Sequence, residues 1–378
     1  MRQKCLAVVS LGSLALTAHA QSGVTLYGRI DNGIRYESGL PTGRLFSAAS
    51  GDWGCSWFGL RGSEELGGGS RAIFNLEGQL DTMTGASEGA LFGRHATVGM
   101  SSDRLGTFKV GNLGAGELSQ DSWPVDPQIM QRYSIETLVR ARNWASASNG
   151  FEYESPTWGG FALKGQYDLT NNTSWNSASS ATGQGRSDGI EMRYQFANGG
   201  ARVIYDEVRG ANGSFDDVYA HSRSLLAAGL YAVGPVRVYA GYQHLSASSA
   251  TDASVGLAQG TQPAGVSAPT QVDHEWLGAA WRVTAAAGIT AAIYHANANH
   301  GNGSATLYTL GGTYGVSKRT FLYAEMAYVH NSATSNIGLS DGPYGNNNYD
   351  PATQTASNTN PDYGHGQAGA FVGIMTAF

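Results

Sequence analysis

The chain has 378 residues, 23 Lys or Arg against 29 Asp or Glu, and a formal charge of −6, with only 14% of its residues charged. An acidic balance without basic clusters excludes nucleic acid as a natural partner, since that ligand requires dense positive charge. Past residue 20 no run of eighteen apolar residues occurs, so no membrane-spanning helix is expected, and a closed barrel remains the one way to cross a bilayer with every backbone polar group paired.

Residues 1–20 start with Arg2 and Lys4, run through an apolar core and end on Ala18-His19-Ala20, the small-x-small pattern of signal-peptidase cleavage. The mature chain is expected to begin at Gln21, as a single domain over 21–378. Loss of Arg2 and Lys4 makes it two charge units more acidic. Cys5 leaves with the leader, so Cys55 stands alone and no internal disulfide is available.

From residue 24 onward the pattern has a period of two. Val24, Leu26, Gly28 and Ile30 alternate with Thr25, Tyr27, Arg29 and Asp31. The same division separates Phe161, Leu163 and Tyr167 from Lys164, Gln166 and Asp168, and Ile190, Met192 and Tyr194 from Glu191, Arg193 and Gln195. It returns in Val236, Val238 and Tyr242 against Arg237, Tyr239 and Gln243. Such alternation describes a sheet with one oily and one wet side. Short turn signals at 67–69, 101–103, 158–160, 198–200, 233–235 and 317–319 alternate with long polar connections near 38–55, 114–148, 171–187, 246–271 and 331–365. That asymmetry of rims is the habit of outer-membrane barrels. About sixteen strand-like segments of about ten residues predict a water-filled lumen rather than a packed core. The last segment, 366–378, alternates to the end and closes the chain on Phe378.

In order and spacing, several motifs resemble the trimeric general-diffusion porins of Gram-negative bacteria, most closely the betaproteobacterial branch. They are Ser22-Gly23-Val24-Thr25-Leu26-Tyr27-Gly28 with Asp31, the run from Phe58 to Gly69, Ala72-Ile73-Phe74-Asn75-Leu76-Glu77, Phe92-Gly93-Arg94, Leu105-Gly106-Thr107, Tyr153-Glu154-Ser155-Pro156 and the terminal Phe378. The resemblance covers nearly all of the mature chain. It implies an all-β transmembrane antiparallel barrel of 16 strands with its third outer loop, about 113–149, folded inward. It also implies a homotrimer in the outer membrane, in contact with lipid and lipopolysaccharide, passing ions and small hydrophilic solutes without a cofactor, and it makes Phe378 the assembly signal.

The resemblance further implies a pore constriction. Glu117, Asp121, Asp126 and Glu136 of the inward loop form its acidic side, facing basic residues on the wall. Arg29 and Arg94 fit that wall, whereas Trp57, Asn112 and Ser146 stand where the family usually has arginine. Arg94 shares its parity with Ala96, Val98 and Met100, yet a charge facing lipid at the midplane costs about 2–4 kcal/mol, which favours the lumen. Arg132, Arg140 and Arg142, at the end of the loop, are further sources of positive potential. With the wall depleted and the loop acids kept, a weak cation preference is expected. Trp57, Trp123 and Trp144 raise an alternative, a pore selective for sugars or aromatic acids; the plainer reading has them bracing the loop or lying at the membrane interface. An outer-membrane barrel enzyme or an adhesin is the rival class, but no Ser, His and acid set can be nominated. The histidines are too scattered for a metal site.

Overall fold

The computed structural model describes residues 23–40, 43–115, 118–129, 131–144, 146–168, 187–257, 262–340, 349–350, 355–356 and 359–378. The expected leader at 1–20 lies outside them. Sixteen barrel strands occur among the described residues. They are β1 Gly23–Leu40, β2 in two pieces (Gly43–Ser50 and Ser56–Gly67), β3 Ser70–Leu80, β4 His95–Ser102, β5 Gly106–Asn112, β6 Gly150–Glu154, β7 Phe161–Asp168 and β8 Ser187–Phe196. The second half continues with β9 Gly199–Val208, β10 Arg223–Val233, β11 Val236–Ser246, β12 Gln271–Arg282, β13 Ala287–Ala298, β14 Gly303–Gly315, β15 Thr320–Asn331 and β16 Gln367–Ala377. Each strand pairs antiparallel with the next, and β16 returns to β1 over the register from Arg29↔Ala377 to Glu37↔Gly369. The sheet therefore has no free edge, which is the condition for placing backbone in lipid. Phe378 completes the seam: its N–H donates to the Gly28 carbonyl at 3.0 Å and its carbonyl accepts from the Gly28 N–H at 3.3 Å.

The alternation in sequence becomes two faces. Val24, Leu26, Val98 and Met100 stay more than half exposed on the outside, while Asp31, Glu37, Glu191 and Gln243 on the opposite parity are buried. Short connections after β2, β4, β6, β8, β10, β12 and β14 gather on the rim that also holds the C terminus. The expected long connection at 38–55 is different. Most of it is strand, with Tyr36 opposite Phe46 and Ile34 opposite Ala48, because Leu45-Phe46-Ser47-Ala48 still alternates well enough to pair despite its small polar neighbours. Among the described residues of that stretch, 51–55 breaks the strand. Asp31, fully buried, holds that break by accepting from the N–H groups of Trp53 at 3.1 Å and Gly54 at 2.9 Å and from the Tyr323 hydroxyl. Cys55 turns the chain back into β2 at φ 55°.

The segment between β5 and β6 carries two 3-10 turns, Ser119–Val125 and Arg142–Trp144, and a helical turn α1, Ile135–Leu138, capped by Ser134. Its Leu118, Val125, Tyr133, Ile135, Leu138 and Val139 are buried against wall residues of the inner parity, among them Ile204, Leu226, Trp276, Tyr294, Leu307 and Phe371. Two glycines make room for it. A Cβ on Gly278 would lie 2.5 Å from the Pro127 ring, and one on Gly369 would strike the Tyr133 hydroxyl.

Candidate functional site

The segment at 113–149 is held to the wall by polar contacts spread over much of the barrel. On one side Lys164 of β7 meets Asp121 at 2.7 Å, and Arg142 meets Asp206 of β9 at 2.7 Å and the Ser222 hydroxyl at 2.7 Å. Further round, the Trp276 indole donates to the Val125 carbonyl at 3.0 Å, the Tyr294 hydroxyl to Asp126 at 2.7 Å, and Gln128 to Thr309 at 2.8 Å. At the break in β2, Arg132 donates its backbone N–H to the Asp52 carbonyl at 3.0 Å and pairs through its side chain with Glu37 at 3.2 Å. Between the segment and the β1 to β4 wall there remains a cavity of about 220 Å³. Arg29, Arg94, Trp53, Asp52 and Cys55 border it from the wall side; Gln120, Trp123, Arg132, Glu136 and Trp144 border it from the segment.

Arg29 is on the inner parity of β1. Its Nε donates to the Cys55 carbonyl at 2.9 Å, and its guanidinium carbon lies 5.7 Å from the Trp53 ring and 5.6 Å from the Trp57 ring. Among the described residues it forms no ion pair. Trp57 is its register partner and packs edge-on against Tyr27 at 5.2 Å. Arg94 lies one residue ahead of β4, so the outward parity of Ala96 and Val98 does not bind it. It turns inward to Glu77 at 2.5 Å and Gln79 at 3.1 Å, 5.8 Å from the Trp57 ring.

Other expected positions differ. Asn112 pairs with Ala96 on the outward parity, and its amide donates to the Phe92 and Gly93 carbonyls at 3.1 and 3.0 Å. It therefore secures the loop that delivers Arg94 instead of standing on the inner wall. Asp121 and Asp126, read from sequence as acids facing the pore, are turned to the wall, where Lys164 pairs with the partly covered Asp121 and Tyr294 gives the buried Asp126 the partner it requires. Glu136 is buried on α1 at the cavity's border. Glu117 and the side chain of Ser146 lie outside the described residues. Sequence reasoning missed Asp52 and Trp53, since both fell within a stretch read as loop, and Glu77, whose motif was recognised without its pairing to Arg94.

A closed barrel with an apolar outer face, a charged inner wall and a segment docked across part of that wall defines a transmembrane channel protein of the β-barrel class. The chain belongs to the Gram-negative porin family, whose model matches residues 6–334. An outer membrane porin protein of Bordetella pertussis is 27% identical over 368 residues, 88% of this chain and 95% of that protein. Among solved structures, an anion-selective porin from Comamonas acidovorans superposes with a TM-score of 0.75 at 22% identity, over 95% of this chain and 100% of the other. The trimer form of in-vitro folded OmpT, an outer membrane protein of Vibrio cholerae, gives 0.60 at 14% identity, over 94% and 99%. The protein is thus an outer-membrane porin, a channel and not an enzyme.

Proposed function

We propose that the protein is a general-diffusion porin working as a homotrimer, its outer face against lipid and lipopolysaccharide, and that the cavity beside Arg29 is the neck through which ions and small hydrophilic solutes pass. The observation that carries this reading is the row of contacts from Asp121 to Arg142, which holds the segment at 113–149 against the wall and leaves the gap beside Arg29 on the β1 to β4 side. The trimer form of the Vibrio protein supports the assembly state.

The selectivity favoured by the geometry is opposite in sign to the sequence expectation. Two of the four acids counted for a cation preference, Asp121 and Asp126, have docking partners on the wall. Asp52 and Glu136 border the gap but are at most 3% exposed, whereas Arg29, Arg94 and Arg132 are only partly covered. With Arg94 balanced by Glu77, and Arg35 and Arg132 together by Glu37 and Asp52, Arg29 is the surplus charge. The neck therefore carries a weak anion preference, the sign given in the description of the Comamonas neighbour. Swelling of proteoliposomes in uncharged sugars tests the diffusion pore. Rates that fall smoothly with sugar size are expected; no swelling from folded protein would contradict the reading.

A further inference from the structure

We infer that the neck is also a binding site for small aromatic carboxylates of the benzoate class. The inference rests on the reading of this cavity as the conduction path. Arg29 supplies the first half of the argument. Only its Nε is bonded, to Cys55, and with no ion pair among the described residues its terminal nitrogens remain a planar fork of donors suited to a carboxylate. A simple inorganic anion would use that fork alone. The surroundings ask for more.

Indoles flank the fork from both sides of the gap. Trp53 and Trp57 lie within 6 Å of the Arg29 guanidinium on the wall side, and the buried N–H of each indole has no acceptor among the described residues. Across the cavity from them, Trp123 is 42% exposed, and the partly buried Trp144 borders the same cavity. An exposed indole in water gains by covering its face with a flat apolar partner. The cavity, about 220 Å³, exceeds the roughly 150 Å³ in which an apolar protein cavity holds a benzene ring. A single-ring carboxylate satisfies the three features together: its carboxylate meets Arg29, its ring meets indole, and its size leaves room to move on. A neutral sugar would cover the indoles and leave the fork without a partner. Acetate would do the reverse.

The test is competition with ion current. Purified trimer in a planar bilayer is titrated with sodium benzoate, cyclohexanecarboxylate, acetate and phenol against a fixed KCl background. Benzoate is expected to reduce the current reversibly at concentrations about tenfold below acetate and several-fold below the other two, the increments typical of one aromatic contact and one charge-assisted contact. Arg29→Gln and, separately, Trp123→Ala are expected to keep channel steps and each lose most of that advantage. Trp123 is 42% exposed, so shortening it disturbs docking less than a change at a buried residue would, and its variant guards against a folding failure of the first. Persistent steps with benzoate no better than acetate would overturn the site and leave the pore intact. Equal block by cyclohexanecarboxylate would overturn the aromatic class. Absence of steps from folded wild-type protein would instead strike the pore reading.

Discussion

Arg29 and Arg94 stand within reach of the same indole, Trp57, at 5.6 and 5.8 Å, yet differ in what each leaves for a passing ion. Arg94 is matched by Glu77; Arg29 has only a carbonyl. Over a Debye length of about 8 Å, one unmatched charge in a narrow neck biases permeation. Arg29→Gln is therefore expected to shift the reversal potential towards cations, whereas the double variant Glu77→Gln with Arg94→Gln leaves it near wild type. A shift of the double variant as large as that of Arg29→Gln would show that the pairing does not neutralise the arginine. At this scale the sequence was legible in part. The motif Phe92-Gly93-Arg94 and the parity of its neighbours pointed opposite ways, and Arg94 escapes that parity because it precedes the strand. The orientation of Asp121 and Asp126 was not legible, since a carboxylate turns towards whichever partner the fold brings near, and Lys164 and Tyr294 come from strands far along the chain. Trp53 was hidden for a related reason: the bonds that Asp31 makes across β1 create the break that presents it.

Among elements, the docked segment at 113–149 sets the size of the opening. Asp126→Ala leaves the buried Tyr294 hydroxyl without its acceptor, a cost of about 1–3 kcal/mol borne by docking and not by barrel pairing. Single-channel records of this variant should show more current flicker with unchanged heat resistance of the barrel; quiet traces would mean that the remaining contacts suffice. Gly278→Val tests the same docking sterically, since any Cβ there lies 2.5 Å from Pro127. The segment must shift away from β12 towards the β1 to β4 side, and a smaller mean conductance is the expected result. From sequence the inward course of this loop came from family likeness, because Leu118, Tyr133 and Leu138 have no periodicity that a short irregular segment could advertise. The barrel strands themselves were readable directly, since lipid on one face and water on the other impose the period of two along each.

For the whole molecule, closure is the governing fact. β16 pairs with both β15 and β1, and Phe378 adds two backbone bonds to Gly28. Deleting Phe378 removes both, at about 1 kcal/mol each, and is expected to lower the yield of folded, heat-modifiable oligomer on gels; Phe378→Ala keeps the bonds and isolates the ring's contribution to assembly. Strand number and the short-turn rim were legible because turn residues punctuate the chain regularly, while the outer connection at 38–55 was misread because small polar residues there hide a strand pair. The measurement that bears most directly on the account is the zero-current potential of the wild-type channel in a planar bilayer across a steep KCl gradient. A small potential of anion-selective sign is predicted from Arg29 as the surplus charge at the neck. A clear cation-selective potential would contradict it and return the pore-facing role to the acids that the fold turns towards the wall.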